Sequence, residues 1–153
     1  LAGLGAPYWN PYARGTIVGI ARGTNKYHII RAALDGICYR TYDVLKSMEA
    51  DSGIEIVGLK VDGGASANNY LMQTQANIIN APVVRPICAE TTALGAAYLA
   101  GLEVGYWKDL EDIRSNWDTD SMFEVNTTQE DRKEKINGWK QAVNATLSWT
   151  NKL

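Results

Sequence analysis

The chain has 153 residues, enough for one domain with a buried core. Its 46% hydrophobic and 21% charged residues are those of an ordinary folded domain, which excludes a disordered or fibrous chain. A net charge of −2 with scattered Lys and Arg leaves no basic footprint for nucleic acid. No apolar run is long enough to span a membrane, and two cysteines and one histidine are too few for a disulfide framework or a histidine-based metal site.

The chain opens on Leu1 rather than Met and has no signal-peptide pattern, so the expectation is a segment from inside a longer protein of the reducing cytoplasm. Residues 1–14 are turn-rich, with Gly3, Gly5, Pro7 and Pro11 around Tyr8, Trp9 and Tyr12. They predict an ordered loop whose aromatics either plug the core or line a cleft wall. Residues 15–21 alternate weakly and predict a short strand. Asn25 is a candidate N-cap for a long helix over residues 26–50, with Ile29, Ile30, Ala33, Leu34, Ile37, Cys38, Leu45 and Met48 at helical spacing. Gly36 inside that helix suggests close packing against a neighbour. Cys38 lies on the apolar stripe as a small core residue, and Gly53 is a plausible left-handed cap.

Ile54, Ile56, Val57, Leu59 and Val61 predict a buried strand, and Leu71, Met72, Gln75, Ile78 and Ile79 fall on one face of a helix over residues 68–79. Asp62, Gly63 and Gly64 therefore sit at a strand-to-helix corner. Two glycines there permit positive φ and let backbone approach a ligand closely, and the N–H groups opening the next helix suit an electron-rich partner. On the residues alone the corner reads first as a plain tight turn and only second as a ligand site, since it is neither of the familiar glycine-rich phosphate motifs.

Residues 82–86, bounded by Pro82 and Pro86, predict a short strand or an edge piece. A small-faced helix follows over residues 93–102, its Ala93, Gly95, Ala96, Ala97, Ala100 and Gly101 suited to lying tight against a sheet. Residues 109–113 predict a short polar helix or turn. Residues 114–126 are expected to be irregular, anchored by Trp117 and Phe123. Thr127 and Glu130 have capping-box spacing at the head of a last helix reaching about residue 150. The charges from Glu130 to Lys135 are most simply a solvated face. The alternation of strands and helices indicates an α/β protein with a mostly parallel sheet, in which ligands sit at the carboxyl ends of strands, where Gly63 and Gly64 fall.

Four runs together carry a resemblance: residues 3–15 with Pro7, Tyr8, Trp9, Asn10 and Pro11; Arg22 to Lys26; Val61 to Asn69; and Glu90 to Gly101. Gly15, Ile17, Gly19 and Ile20 followed by His28, Ile29, Ala32, Ala33, Leu34 and Asp35 add a signature-like spacing. Over nearly its whole length the chain resembles the C-terminal, nucleotide-binding domain of the FGGY carbohydrate kinases, in their glycerol kinase branch. The resemblance implies a partial ribonuclease H-like domain of the actin and hexokinase type, with long helices packed on a mixed sheet. It implies an enzyme that moves the γ-phosphate of ATP, with Mg2+, to glycerol. It places ATP contacts on Gly64 and Asn68, with Gly63 and Ala65 in the same corner, and no catalytic or metal-binding residue within these 153 residues. Asp62 is not the catalytic base under this resemblance. The base, the polyol contacts, the N-terminal domain and the first strands of this domain belong before Leu1, which leaves the isolated chain inactive and a sheet edge exposed.

The implied partners are ATP or ADP and glycerol, with a homo-oligomer the expected assembly, and neither nucleic acid nor membrane insertion. Asn10 stands where Asp is usual, and Asp35 and Gly36 where Glu and Ser are common, so Asn10 is a candidate for altering its loop. Two alternatives stay open. One is another FGGY sugar kinase, for a ketopentose or gluconate. The other is a non-catalytic regulatory or assembly module whose Glu130 to Lys135 charges meet a partner.

Overall fold

A computed structural model of the chain describes residues 3–116 and 118–150; the expected anchor Trp117 lies outside them. The long helix α1 spans Lys26–Ser52. Asn25 caps it, its Oδ1 accepting from the Tyr27 N–H at 3.0 Å while His28 Nδ1 accepts the Asn25 N–H at 3.2 Å, and Gly53 closes it at φ 69°. Helix α2 (Asn69–Ile79) lies against α1 and buries all five residues its periodicity selected, Leu71, Met72, Gln75, Ile78 and Ile79. These pack with Cys38, Ala76, Ala81 and Val83 into the core. Burial pushes the Cys38 thiol up to about 12, with the nearby Asp35 charge adding to it, as befits an inert core side chain.

The sheet has three strands in the order β1 (Leu59–Lys60), β2 (Val83–Pro86), β3 (Thr119–Phe123). β1 pairs parallel to β2, Leu59 opposite Val83, and β2 pairs antiparallel to β3, Val83 opposite Phe123. The sheet is mixed, as the family resemblance implied, and not mostly parallel as the element alternation suggested. β2 is therefore the central strand and not an edge piece; Pro86 is accommodated at the irregularity between Arg85 and Pro86. β3 runs through residues expected to be irregular.

Two strand expectations shrink or fail. Residues 15–21 form no strand: the segment is exposed and pairs with nothing among the described residues. The strand expected over residues 54–61 is reduced to Leu59–Lys60, because the Ile56 N–H goes to Glu49 Oε1 at 2.9 Å and Val57 is 84% exposed. Two glycine readings also change. Nothing meets a Cβ built on Gly36, so packing among the described residues does not require that glycine. Helix α3 (Thr91–Glu103) leaves most of its small face exposed, and only Gly101 is used closely, under the Trp107 ring.

Helix α4 (Leu110–Ser115) is capped by Asp109, and α5 (Gln129–Thr150) by Thr128, whose Oγ1 accepts the Asp131 N–H at 3.1 Å. The cap thus sits one residue later than the Thr127–Glu130 spacing indicated. Asp43 on α1 joins two segments remote in sequence, the N-terminal loop and α5. Its Oδ2 accepts from Tyr8 OH at 3.1 Å, from Trp139 Nε1 on α5 at 2.9 Å and from Arg40 at 3.4 Å, with the carboxylate 7% exposed. Tyr39 stacks on Trp139 at 5.3 Å beside it. Burial, then the Asp43 charge and hydrogen bond, push the Tyr8 hydroxyl up to about 12. Of the loop aromatics, Tyr8 anchors inward, whereas Trp9 is 77% exposed. Asn10 Oδ1 accepts the N–H groups of Tyr12 and Ala13, a role that an aspartate oxygen can also fill.

Asp43→Ala leaves the Tyr8 hydroxyl, the Trp139 indole and Arg40 without their shared acceptor and is expected to cost about 2–4 kcal/mol of stability in urea unfolding. A loss under about 0.5 kcal/mol, the range of ordinary surface substitutions, would contradict the role given to this carboxylate.

Candidate functional site

The corner after β1 is built by the backbone. Gly63 adopts φ 77° and ψ 173°, a region open essentially to glycine alone. A 3₁₀ turn then spans Gly64–Ala67, and α2 begins only afterwards. The helix expected to follow the glycines directly is thus preceded by this turn. Within it the Ser66 N–H and Oγ both donate to the Gly63 carbonyl, at 3.0 and 2.7 Å, and the Ser66 side chain is buried. The Gly63 N–H donates to the Ala89 carbonyl at 2.8 Å, and Thr91 Oγ1 donates to the Asp62 carboxylate. The corner is thereby stitched to the start of α3.

All four residues expected at a ligand site, Gly63, Gly64, Ala65 and Asn68, come together on this one turn. Gly64, Ala65 and Asn68 are exposed, and no atom lies within 4 Å of a Cβ built on either glycine, so backbone faces open space. No acceptor among the described residues takes the N–H of Gly64 or Ala65. Adjacent free amide N–H groups of this kind attract electron-rich atoms. Asn68 has a structural duty as well: its Oδ1 accepts the Leu71 N–H at 3.1 Å and caps α2. Its Nδ2 donor makes no hydrogen bond among the described residues. The positive φ that the two glycines permit is used by Gly63 and not by Gly64.

Beside the turn an open cleft of about 260 Å³ is lined by Ser66, Ala67, Arg85, Pro86, Ile87 and Asp120. Sequence reasoning missed Arg85. Its signal was a lone charge inside a short apolar strand, which requires partners. The guanidinium donates to the Ser66 carbonyl at 2.8 Å, to Asn69 Oδ1 at 2.9 Å, to Asp120 Oδ2 at 2.8 Å and to Ser121 Oγ at 3.1 Å. Hydrogen bonds from Ser121 and then Arg85 hold the Asp120 carboxyl below its ordinary value. A second open groove, about 320 Å³, lies between the 17–24 segment and α1 and is lined largely by aliphatic residues such as Ile17, Val18, Ile20 and Ile29. Its only titratable group, His28, is engaged in the α1 cap. Among the described residues no group of three or more His, Cys, Asp and Glu could hold a metal ion, and no helix is long and apolar enough to cross a membrane.

Residues 1–104 match the family described as the FGGY family of carbohydrate kinases, C-terminal domain. The chain is 60% identical over 147 residues to a glycerol kinase of Agathobacter rectalis, an alignment covering 96% of this chain and 30% of that protein. The chain thus spans about a third of the length of the curated relatives it matches. Among solved structures it is similar to the Plasmodium falciparum glycerol kinase with ADP, with a TM-score of 0.87 at 38% identity, covering 95% of this chain and 29% of that one. It is also similar to a ligand-bound xylulose kinase from Lactobacillus acidophilus, with a TM-score of 0.76 at 27% identity, covering 96% and 30%.

The two glycines separate by substitution. Gly63→Ala forces a side chain into a glycine-only conformation and is expected to lower stability by about 1–3 kcal/mol. Gly64→Ala meets nothing and should stay within about 0.5 kcal/mol of the parent. Equal urea-unfolding midpoints for the two variants would contradict the corner geometry.

Proposed function

The chain belongs to the FGGY family of carbohydrate kinases, and from that premise we propose that it is the nucleotide-binding C-terminal part of an ATP-dependent glycerol kinase. The observation that carries the reading is the open glycine corner at Gly63–Gly64, in a chain similar over 95% of its length to a glycerol kinase solved with ADP. Gly64 and Ala65 present backbone N–H groups to the nucleotide, Gly63 supplies the bend, and Asn68 offers its Nδ2 donor from the head of α2 while its Oδ1 keeps the helix capped.

Bound ATP supplies the transferable γ-phosphate. This chain's residues bind and orient it; the acceptor hydroxyl and the carboxylate that takes its proton are assigned to the remainder of a longer protein. Mg2+ fits this scheme as an ion carried largely on the phosphates, since it keeps several waters and needs few protein ligands. Asp62 is committed to Thr91 and is not assigned as the base. The free thiols of Cys38 and Cys88 suit a reducing, cytoplasmic setting. Glycerol is preferred over a pentulose as acceptor because the likeness to the glycerol kinases is higher, in identity and in TM-score, than that to the xylulose kinase.

Calorimetric titration with MgADP tests the binding site. The parent chain should bind saturably. Gly64→Val should abolish binding with unfolding unchanged, by placing a branched side chain where backbone meets ligand. Asn68→Asp keeps a capping oxygen, so it should fold normally yet lose affinity by about tenfold as it swaps a donor for a negative charge. Parent-like affinity in both folded variants would refute the site. In the longer protein, phosphorylation of a pentulose but not of glycerol would overturn the acceptor assignment.

A further inference from the structure

Arg85 is the one charged side chain in the central strand, and that side chain is 15% exposed. An arginine cannot shed its charge, so a site this enclosed must satisfy its donors. Here they reach three elements. Nη1 holds the Ser66 carbonyl inside the 3₁₀ turn and Asn69 Oδ1 at the head of α2; Nε and Nη2 hold Asp120, and Nη2 also holds Ser121, on β3. The guanidinium also lies 5.4 Å from the centre of the Phe123 ring. The planar fork is thus spent on the protein itself.

We propose that Arg85 is a positioning residue for the nucleotide corner, clamping the Gly64–Ala67 turn and the head of α2 to the sheet so that Gly64 and Asn68 face the ligand in a fixed register. The inference rests on the nucleotide reading above and deepens it. Ser66 is the fulcrum. Its side chain closes the turn on Gly63 while its carbonyl is tied to Arg85, so one peptide links the glycine bend to the strand. Asn68 lies two residues further on and Asn69 is itself held by Arg85, so the two ends of the ligand-facing stretch are fixed by one side chain. Lysine cannot replace it, because a single ammonium cannot span Ser66, Asn69 and Asp120 together.

The test is MgADP affinity of the full chain by calorimetry for the parent, Arg85→Gln, Arg85→Lys and a destabilising control away from the corner, Ile136→Ala, which removes a buried side chain of α5. Both Arg85 variants should bind ADP about tenfold more weakly, Lys included, while Ile136→Ala binds as the parent does. Arg85→Lys, which keeps a positive charge beside Asp120, decides the matter where Arg85→Gln fails to fold. Parent-like affinity in the Lys variant, or an equal loss in Ile136→Ala, would overturn the positioning role and leave the nucleotide reading standing. Absence of ADP binding by the folded parent would overturn that reading and this inference with it.

Discussion

Asp43 is the only carboxylate buried among the described residues, and a buried charge tolerates burial only with partners around it. Its partners come from the N-terminal loop, from α1 itself and from α5, so satisfying one oxygen ties α1 to segments 35 and 96 residues away along the chain. That sets how α1 lies. Helix α2 packs on both α1 and β2, and Cys38, Leu71, Met72, Ile78 and Val83 share one core. The head of α2 is where the corner ends. The core beneath Asn68 is thus continuous with the helix that Asp43 ties to the N-terminal loop and to α5.

The two glycines of the corner differ in what the fold asks of them. Gly63 takes a backbone conformation that other residues reach only with strain, and Gly64 beside it takes an ordinary one yet still carries no side chain. The first glycine is explained by the turn. The second is explained by nothing within the described chain, since a Cβ there meets open space. A missing side chain that packing does not demand is what close approach of a ligand to backbone would require. Asn68 divides its amide the same way, oxygen to the helix and nitrogen outward.

Helical features were legible because they are local. The α2 face follows from the spacing of Leu71, Met72, Gln75, Ile78 and Ile79, and the α1 caps from Asn25 and Gly53. Strands were legible only where a partner exists. Residues 15–21 have strand composition, yet a strand is a pairing, and they have no partner among the described residues; β3, with Asp120 and Ser121 in it, pairs despite a polar sequence. The four residues of the candidate site were named from the sequence by family resemblance, and the fold gathers them on one turn. Arg85 stood out only as a lone charge in an apolar strand, and its partners were not legible, since Ser66 and Ser121 lie 19 and 36 residues away and no spacing rule reaches across a sheet. The direction of the Asn68 amide likewise follows only from the cap.

Backbone amide chemical shifts during addition of MgADP to the isotope-labelled chain report directly where the nucleotide lands. The account predicts saturable shifts that are largest at Gly63, Gly64, Ala65 and Asn68, with smaller ones at Ser66 and Arg85. Shifts confined to the Ile17–Ile29 groove, or none at all in a folded chain at saturating ADP, would contradict the claim that this glycine corner is a nucleotide site.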